Sequence, residues 1–526
     1  MARTSGSVAF RPLLYASGRR QAEGMPEELI TPEPHLPPCE ERLDLPRTTS
    51  GDLPRTTSGD GAGPAPGAAS ATASPALTLA AALIGFVLVT LDSSVVNVAL
   101  PAMGRELHGG LAALQWVVDG YTLAFASLML STGALSDRVG ASRAFAIGTA
   151  VFTVASVACG LSPNLAVLVA ARVVQGSAAA VVLPASLALV RQAFPDPRKR
   201  ARAISVWAAG GSTALALGPV AGGALTTAWS WRAIFFINLP VGLAALVLSA
   251  RVARSPRRPA PLDLPGQTTA VVALAALTYA VIEGGRTGAV AGAVAALALA
   301  GFLAIEARHP HPVVPLGLFR NGTAATSIAT GAAVTFGFFG AVFVLSLFFQ
   351  EVRGESALTA GLMFLPMTLL ISVVNVASGR ITNRYGPRAP MLVGQSVAVA
   401  GLLVLLSVGA GTPAVLTAVA MMPLSLGAAL AVPALTAAAM GAVPAERAGM
   451  AAGVLNAARQ VSGALSVAVF GALVGGRTHF VTGMRKGLLI SAALLAATAL
   501  ATALAPRAPR NEPSGPEGRK LGGGTE

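Results

Sequence analysis

Four ionisable side chains stand inside long apolar runs. Asp92 lies in "LVTLDSSVVNVALP", within a run that extends from about Ala76 to Pro101, and Asp119, Arg172 and Arg459 lie in three others. Charge at such depth is costly and normally faces a bundle interior or a water-filled cavity. Helices pack without it, so these residues are read as functional, with a static brace between helices as the alternative. Depth links three of them. Counted along helices from one common surface, Asp92 is about 13 Å deep, Arg172 about 10 Å and Asp119 about 9 Å. Pairing with an arginine favours a charged carboxylate, whereas burial without a partner favours the protonated form. A carboxylate that passes between those two conditions carries a proton. Asp92, Asp119 and Arg172 are therefore the proton-coupling candidates, Asp92 foremost, since no histidine lies deep in an apolar run.

The elements that must position these residues follow from composition. Of 526 residues, 54% are hydrophobic and only 11% charged. A water-soluble domain of that make-up would lack polar residues to cover its surface; a polytopic membrane protein is covered by lipid. The formal net charge is +14. The arginines sit in short gaps between apolar runs, which is an orientation signal in membrane proteins and argues against nucleic acid as a partner. Cys39 and Cys159 lie in a polar tail and an apolar run, so neither a disulfide framework nor a cysteine metal site is expected. No glycine-rich loop followed by Lys-Ser or Lys-Thr is present, so an ATP-driven mechanism would need a separate subunit. The expectation is a non-enzyme without cofactor or metal.

Residues 1–75 are rich in Pro, Gly, Ser, Thr and charge, with "DLPRTTSG" repeated in tandem from Asp44 and Asp52. They predict a disordered cytoplasmic tail, as does the polar stretch 506–526. Between the tails, apolar segments of about 20 residues recur roughly 14 times, each long enough to cross a bilayer as a helix. With both termini inside, the cytoplasmic loops collect most of the Lys and Arg, densest in "RQAFPDPRKRARA" and "RVARSPRRPAP". Trp116, Trp229 and Trp231 then fall at the outer interface and Trp207 near the inner one. "GALSDRVGASR" at Gly133 and "GRITNRYGPR" at Gly379 echo each other after the second and tenth spans, which points to two related bundles with a site between them. Gly211, Gly218 and Gly222 share one face of the fifth span, beside a kink expected at Pro219. Phe336, Phe339 and Phe343 share a face of the ninth, which is read as facing lipid, with lining of the cavity as the alternative.

Taken in order, several stretches resemble the fourteen-helix drug:proton antiporter branch of the major facilitator superfamily. They are "LDSSVVNVALP", "GALSDRVGASR", "ARVVQGSAAA", "LGPVAGG", "WRAIFFINLPVG", "LDLPG" and "LNAARQVSGAL", and the resemblance covers about residues 76–505. It implies an all-α membrane protein with two six-helix bundles, 76–252 and 321–505, and two extra helices inserted within 253–320. It implies alternating access around one cavity near the midplane, for which Asn97, Gln175, Arg459 and Gln460 are the candidates. It implies a monomeric exporter of small hydrophobic or amphipathic compounds in the cell membrane, with small-molecule substrate, protons and the lipid bilayer as its partners and the proton gradient as energy source. By resemblance, Gly133, Asp137, Arg138, Gly140 and Arg143 form a conformational latch, with Asp137 at a helix N-terminus. Arg172, Gln175 and Gly176 belong to the proton-coupling helix, and Gly218, Pro219, Gly222 and Gly223, with Gly211, to the antiporter helix. Asn383 replaces the acid in the second-half loop, Ser142 stands where many relatives carry a basic residue, and Ala214 where many carry Gly. The later spans hold Arg459 but no deep acid, which weakens the case for a dication and leaves a neutral or anionic substrate open. A narrow exporter of one endogenous natural product and a non-transporting sensor on the same scaffold are the alternative functions.

Overall fold

The structure is a computed structural model that describes residues 74–257, 263–310, 312, 314–444, 447–475 and 479–505. The tails expected at 1–75 and 506–526 lie, apart from Ser74 and Pro75, outside the described residues. Sixteen α-helices follow one another among the described residues. They are α1 (Pro75–Glu106), α2 (Leu111–Val139), α3 (Ala141–Gly160), α4 (Leu165–Ala193), α5 (Pro197–Ala228), α6 (Ala233–Phe236), α7 (Asn238–Ser249) and α8 (Leu264–Glu283). The chain continues with α9 (Gly285–Glu306), α10 (Gly322–Leu347), α11 (Ala357–Tyr385), α12 (Arg388–Leu405), α13 (Ala414–Ala420), α14 (Met422–Gly441), α15 (Ala448–Val474) and α16 (Phe480–Leu504). Thirteen helical segments are long and apolar enough to cross a membrane, α13 and α14 together counting as one, and the broken rod α6–α7 supplies one further apolar segment. Only helices satisfy their own backbone groups in hydrocarbon without a partner strand, so apolar runs of this length have no other spanning form open to them. Their starts are set by side chains that take up the free N–H groups of the first turn. Asn164 accepts from Val167 N at 3.0 Å, Asp196 from Lys199 N at 2.8 Å beside Pro197, and Ser356 from Thr359 N at 3.1 Å.

The helices pack in two groups. In the first, α1 lies on α4, α5 and α7, α2 on α4, and α3 on α4 and α7; in the second, α10 lies on α14, α15 and α16, α12 on α14 and α16, and α11 on α14. The groups meet along α5–α11 and α2–α15. The pair α8–α9 sits outside both, with α8 against α2 and α15, and Gln267 of α8 bonded to Ser127 O and the Ser131 hydroxyl of α2. Burial sorts the helices by place: 83% of an 18-residue apolar stretch of the α10 segment is buried against 11% for α9, whose Leu297 and Val290 face outward.

One expectation is corrected here. Phe336 and Phe343 are 5% and 0% exposed in the core, and Phe339 borders a cavity, so this face does not meet lipid. The reason is that α10 is a central helix, wrapped by three others of its group and touched by α1. Trp231 is 2% exposed and donates its indole N–H to Glu106, the last residue of α1, at 2.6 Å, so it packs against a helix end, while Trp229 is 78% exposed.

Candidate functional site

Asp92 is placed by the middle of α1, where its side chain turns into the first helix group and is 0% exposed. Three donors converge on it. Arg172 of α4 reaches Oδ2 through NH1 at 2.5 Å, Gln175 one turn on reaches Oδ1 at 2.9 Å, and Asn238, the first residue of α7, reaches Oδ1 at 2.8 Å. Arg172 also donates from Nε to Val117 O at 3.1 Å and from NH1 to Gln175 Oε1 at 2.8 Å. Asn238 donates further to the Ser156 hydroxyl at 3.0 Å, which donates to Phe235 O at 2.9 Å. A buried ion pair is tolerated when its remaining hydrogen-bonding positions are filled, and this one draws on α1, α2, α4 and the α6–α7 break. The break falls at Ile237, next to Asn238, whose amide faces inward to Asp92.

The ring of Tyr121 lies over the Arg172 guanidinium, 4.1 Å from its centroid, with the phenol donating weakly to Val89 O at 3.4 Å. Tyr121 also borders a cavity of about 280 Å³ between the two groups. The Tyr121 ring thus touches both that cavity and the guanidinium of the pair. Asn97, Arg459 and Gln460 line the cavity, together with Phe86, Phe125 and Phe339. Gln175 does not: it is 0% exposed and belongs to the Asp92 network. Arg459 donates from Nε to the Thr335 hydroxyl at 3.2 Å.

Asp119 lies at a depth like that of Asp92, yet the structure does not bring it to Arg172. It is 0% exposed, and among the described residues neither carboxyl oxygen has a hydrogen-bond partner. Helical spacing puts it one turn beyond Gln115, whose amide donates to Val467 O and Ala468 O of α15 at 3.2 and 2.9 Å. Asp119 therefore faces the seam between the groups.

The ties between the groups lie toward the α1–α2 loop. Besides Gln115, the Ser346 hydroxyl donates to Asn97 O at 2.8 Å, Gln350 to Val98 O at 2.9 Å, and Leu358 N to the Thr227 hydroxyl at 3.2 Å, while Arg105 meets Glu351 at 3.7 Å. The small residues of α5 make the same end close-fitting. Gly211, Gly218 and Gly222 turn to Phe86, Ser94 and Val95 of α1, and Gly223 to the backbone of Ala357 and Leu358 in α11. A Cβ on Gly222 would stand 2.6 Å from Val95 O. The α5 helix runs on through Pro219 to Ala228.

At the opposite end, the α2–α3 turn bends at Gly140, whose φ of +93° favours glycine. Ser142 and Ser255 exchange backbone-to-hydroxyl bonds of 3.1 and 2.9 Å, which holds the turn to the segment after α7. Asp137, Arg138 and Arg143 are exposed, and Gly133 has open space where a side chain would go. Asp137 is not at a helix N-terminus: α2 runs to Val139, so the residue occupies the last turn. The helix continues because the residue that can leave it cheaply, Gly140, comes three positions later.

Asn238, Tyr121 and Ser156 went unassigned in the sequence. A lone amide in the apolar stretch "IFFINLPVG" was the available signal for Asn238; nothing local marks Tyr121 or Ser156.

Comparison with known proteins adds to this geometry. A profile of the Major Facilitator Superfamily matches residues 82–467. The chain is 37% identical over 397 residues to the methylenomycin A resistance protein of Streptomyces coelicolor, covering 74% of this chain and 84% of that one. It is 39% identical over 416 residues to the multidrug resistance protein Stp of Mycobacterium tuberculosis, covering 76% and 75%. Among solved structures, a bacterial homologue of the human lysosomal transporter Spinster, inward-facing and unoccupied, superposes with a TM-score of 0.60 at 16% identity, over 81% of this chain and 96% of that one.

Proposed function

The chain belongs to the Major Facilitator Superfamily, and from that premise we propose that it is a proton-coupled antiporter that exports small hydrophobic or amphipathic compounds by alternating access. It is a multi-pass membrane transporter rather than an enzyme; the direction, the coupling ion and the cycle are our reading. Relatives named for antibiotic and multidrug resistance support export as the direction. The positive-inside bias puts the α2–α3 turn in the cytoplasm and the α1–α2 loop outside. On that orientation the bonded end is the outer gate, and the cavity bordered by Asn97, Arg459 and Gln460 serves the inward-facing state.

The observation that carries the coupling is the buried Asp92–Arg172 pair, with the Tyr121 ring against both its guanidinium and the cavity. When the outer gate opens, water and a proton reach Asp92. Protonation removes one charge of the pair, releases Arg172 from it, and lowers the cost of enclosing the site during the swing between states. When the cavity opens inward, the proton leaves to the cytoplasm, Arg172 recaptures the carboxylate, and Tyr121 settles over the guanidinium. Substrate enters the cavity in that state and is carried out in the next half-cycle. The Ser136–Arg143 turn and the glycines of α5 act on the switch: the first docks or releases the cytoplasmic ends, the second lets α1, α5 and α11 close backbone to backbone. Asp119, buried without a partner at the α2–α15 seam, is the second proton site.

The test is a panel of antibiotics, amphipathic dyes and metabolites applied to cells lacking other pumps, followed by purified protein in liposomes with a pH-reporting dye. At least one compound should leave against its gradient, stop when the proton gradient is collapsed, and drive proton counterflow in liposomes. Export that persists without a proton gradient, or that moves no protons, refutes the coupling.

A further inference from the structure

The two arginines deep in the helices have opposite surroundings. Arg172 is 1% exposed and meets a carboxylate, an amide and a backbone carbonyl. Arg459 makes one hydrogen bond, to the Thr335 hydroxyl, and among the described residues it pairs with no acid. It stands eleven residues into α15, about 16 Å from the helix start and so near mid-membrane. The side chain is half-buried and borders two spaces, the 280 Å³ cavity and an adjoining one of about 140 Å³ between α10, α11 and α14, where Asn375 adds an amide. Among the described residues no other formal charge lines either space; Asp92 and Asp119 are both sealed off at 0% exposure.

An unpaired guanidinium at this depth is costly to keep. Its planar fork matches an oxyanion through two parallel hydrogen bonds, which an amide or hydroxyl cannot reproduce. A cationic guest would meet the same charge with no acid to offset it. Around the guanidinium, Phe86, Phe125 and Phe339 offer apolar faces suited to a ring system. We infer that Arg459 is the counterion of the cargo, and that the cavity takes amphipathic compounds carrying a carboxylate or comparable oxyanion on an aromatic body. The inference rests on the export reading for the role of the cavity and deepens it. It also fixes the electrical character of the cycle. An anion leaving while a proton enters moves charge in one sense, so a negative-inside potential assists each turn, whereas exchange of a monovalent cation for one proton would be electrically silent.

Binding is measured by calorimetry on detergent-purified full-length protein at neutral pH, with no gradient present. Three probes share one ring system: naphthalene-1-acetate, naphthalene-1-acetamide and 1-naphthylmethyl-trimethylammonium. The wild type should bind the acid roughly tenfold or more tighter than the amide, with the ammonium compound weakest. Arg459→Gln should bring acid and amide to about equal affinity, while Arg459→Lys, which keeps the charge but not the fork, should retain part of the preference. An acid bound no tighter than the amide by the wild type, or an acid preference undiminished in Arg459→Gln, overturns the inference. If Arg459→Gln does not fold, the wild-type series and Arg459→Lys still decide. Because no proton gradient enters the assay, a failure of proton coupling leaves this result standing, and a failure here leaves the coupling test untouched.

Discussion

Asp92→Asn puts the coupling hypothesis under the most strain, because the structure predicts two separable effects. The substitution removes the charge that Arg172 meets at 2.5 Å and leaves a guanidinium that is 1% exposed without a counterion. It also turns one of the two carboxylate oxygens, which together accept from Arg172, Gln175 and Asn238, into a donor. Removing one partner of such a buried pair costs about 3–5 kcal/mol, most of it the price of the stranded charge. Arg172→Gln strands the carboxylate instead and should cost a similar amount. The double variant strands neither, so its loss should fall well short of the sum, with a coupling of about 2–3 kcal/mol between the sites. Thermal and chemical unfolding of the four purified proteins in detergent measures that coupling. Transport separates the second effect. A stable double variant should still bind cargo and let it equilibrate, yet fail to concentrate it against a gradient in liposomes, because no titratable group remains at that place. Additive losses of stability would mean that the pair does not hold the helices together. Gradient-driven uphill export by Asp92→Asn or by the double variant would mean that the proton travels elsewhere, and Asp119→Asn is then the variant to assay.

Three further outcomes follow from the same geometry. Tyr121→Ala should open the 280 Å³ cavity to the ion pair and give a proton leak without cargo, whereas Tyr121→Phe, which keeps the ring over Arg172, should stay coupled; pH-dye traces in cargo-free liposomes distinguish them, and a tight Tyr121→Ala variant contradicts the barrier role. Gly218→Leu should reach the membrane but fail to close toward the α1–α2 loop, since its side chain would run into Ser94 of α1; normal uphill export by that variant removes the close-packing argument. Asp137→Asn should lower turnover while leaving cargo affinity within about twofold, because the residue is exposed in the last turn of α2 and acts on the switch rather than on the cavity; equal losses in binding and turnover count against a latch.

Position along each helix axis was legible in the sequence, and rotation about that axis was not. Apolar length and the backbone's need for internal hydrogen bonds in lipid dictate the spans, and counting residues from their ends placed Asp92, Asp119 and Arg172 at similar depth. Rotation is normally read from the contrast between a polar and an apolar face. Here that contrast is missing, because the lipid around α9 and the protein around α10 are both apolar, and either can cover a phenylalanine. Hence periodicity alone does not separate lipid from protein around Phe336 and Phe343, which lie in the core. Depth alone could not tell that Arg172 turns to Asp92 while Asp119 turns to the α15 seam. Gln175 was placed on the cavity wall by the same blindness, one helical face away from where it bonds Asp92. Asn238, 146 residues from Asp92 along the chain, enters the network only because α6–α7 folds back onto α1. The four deep ionisable residues could be named from sequence, since each interrupts a run that lipid would otherwise select; which of them has a charged partner, and that Arg459 pairs with no acid among the described residues, was decided by the packing of helices that hydropathy cannot orient.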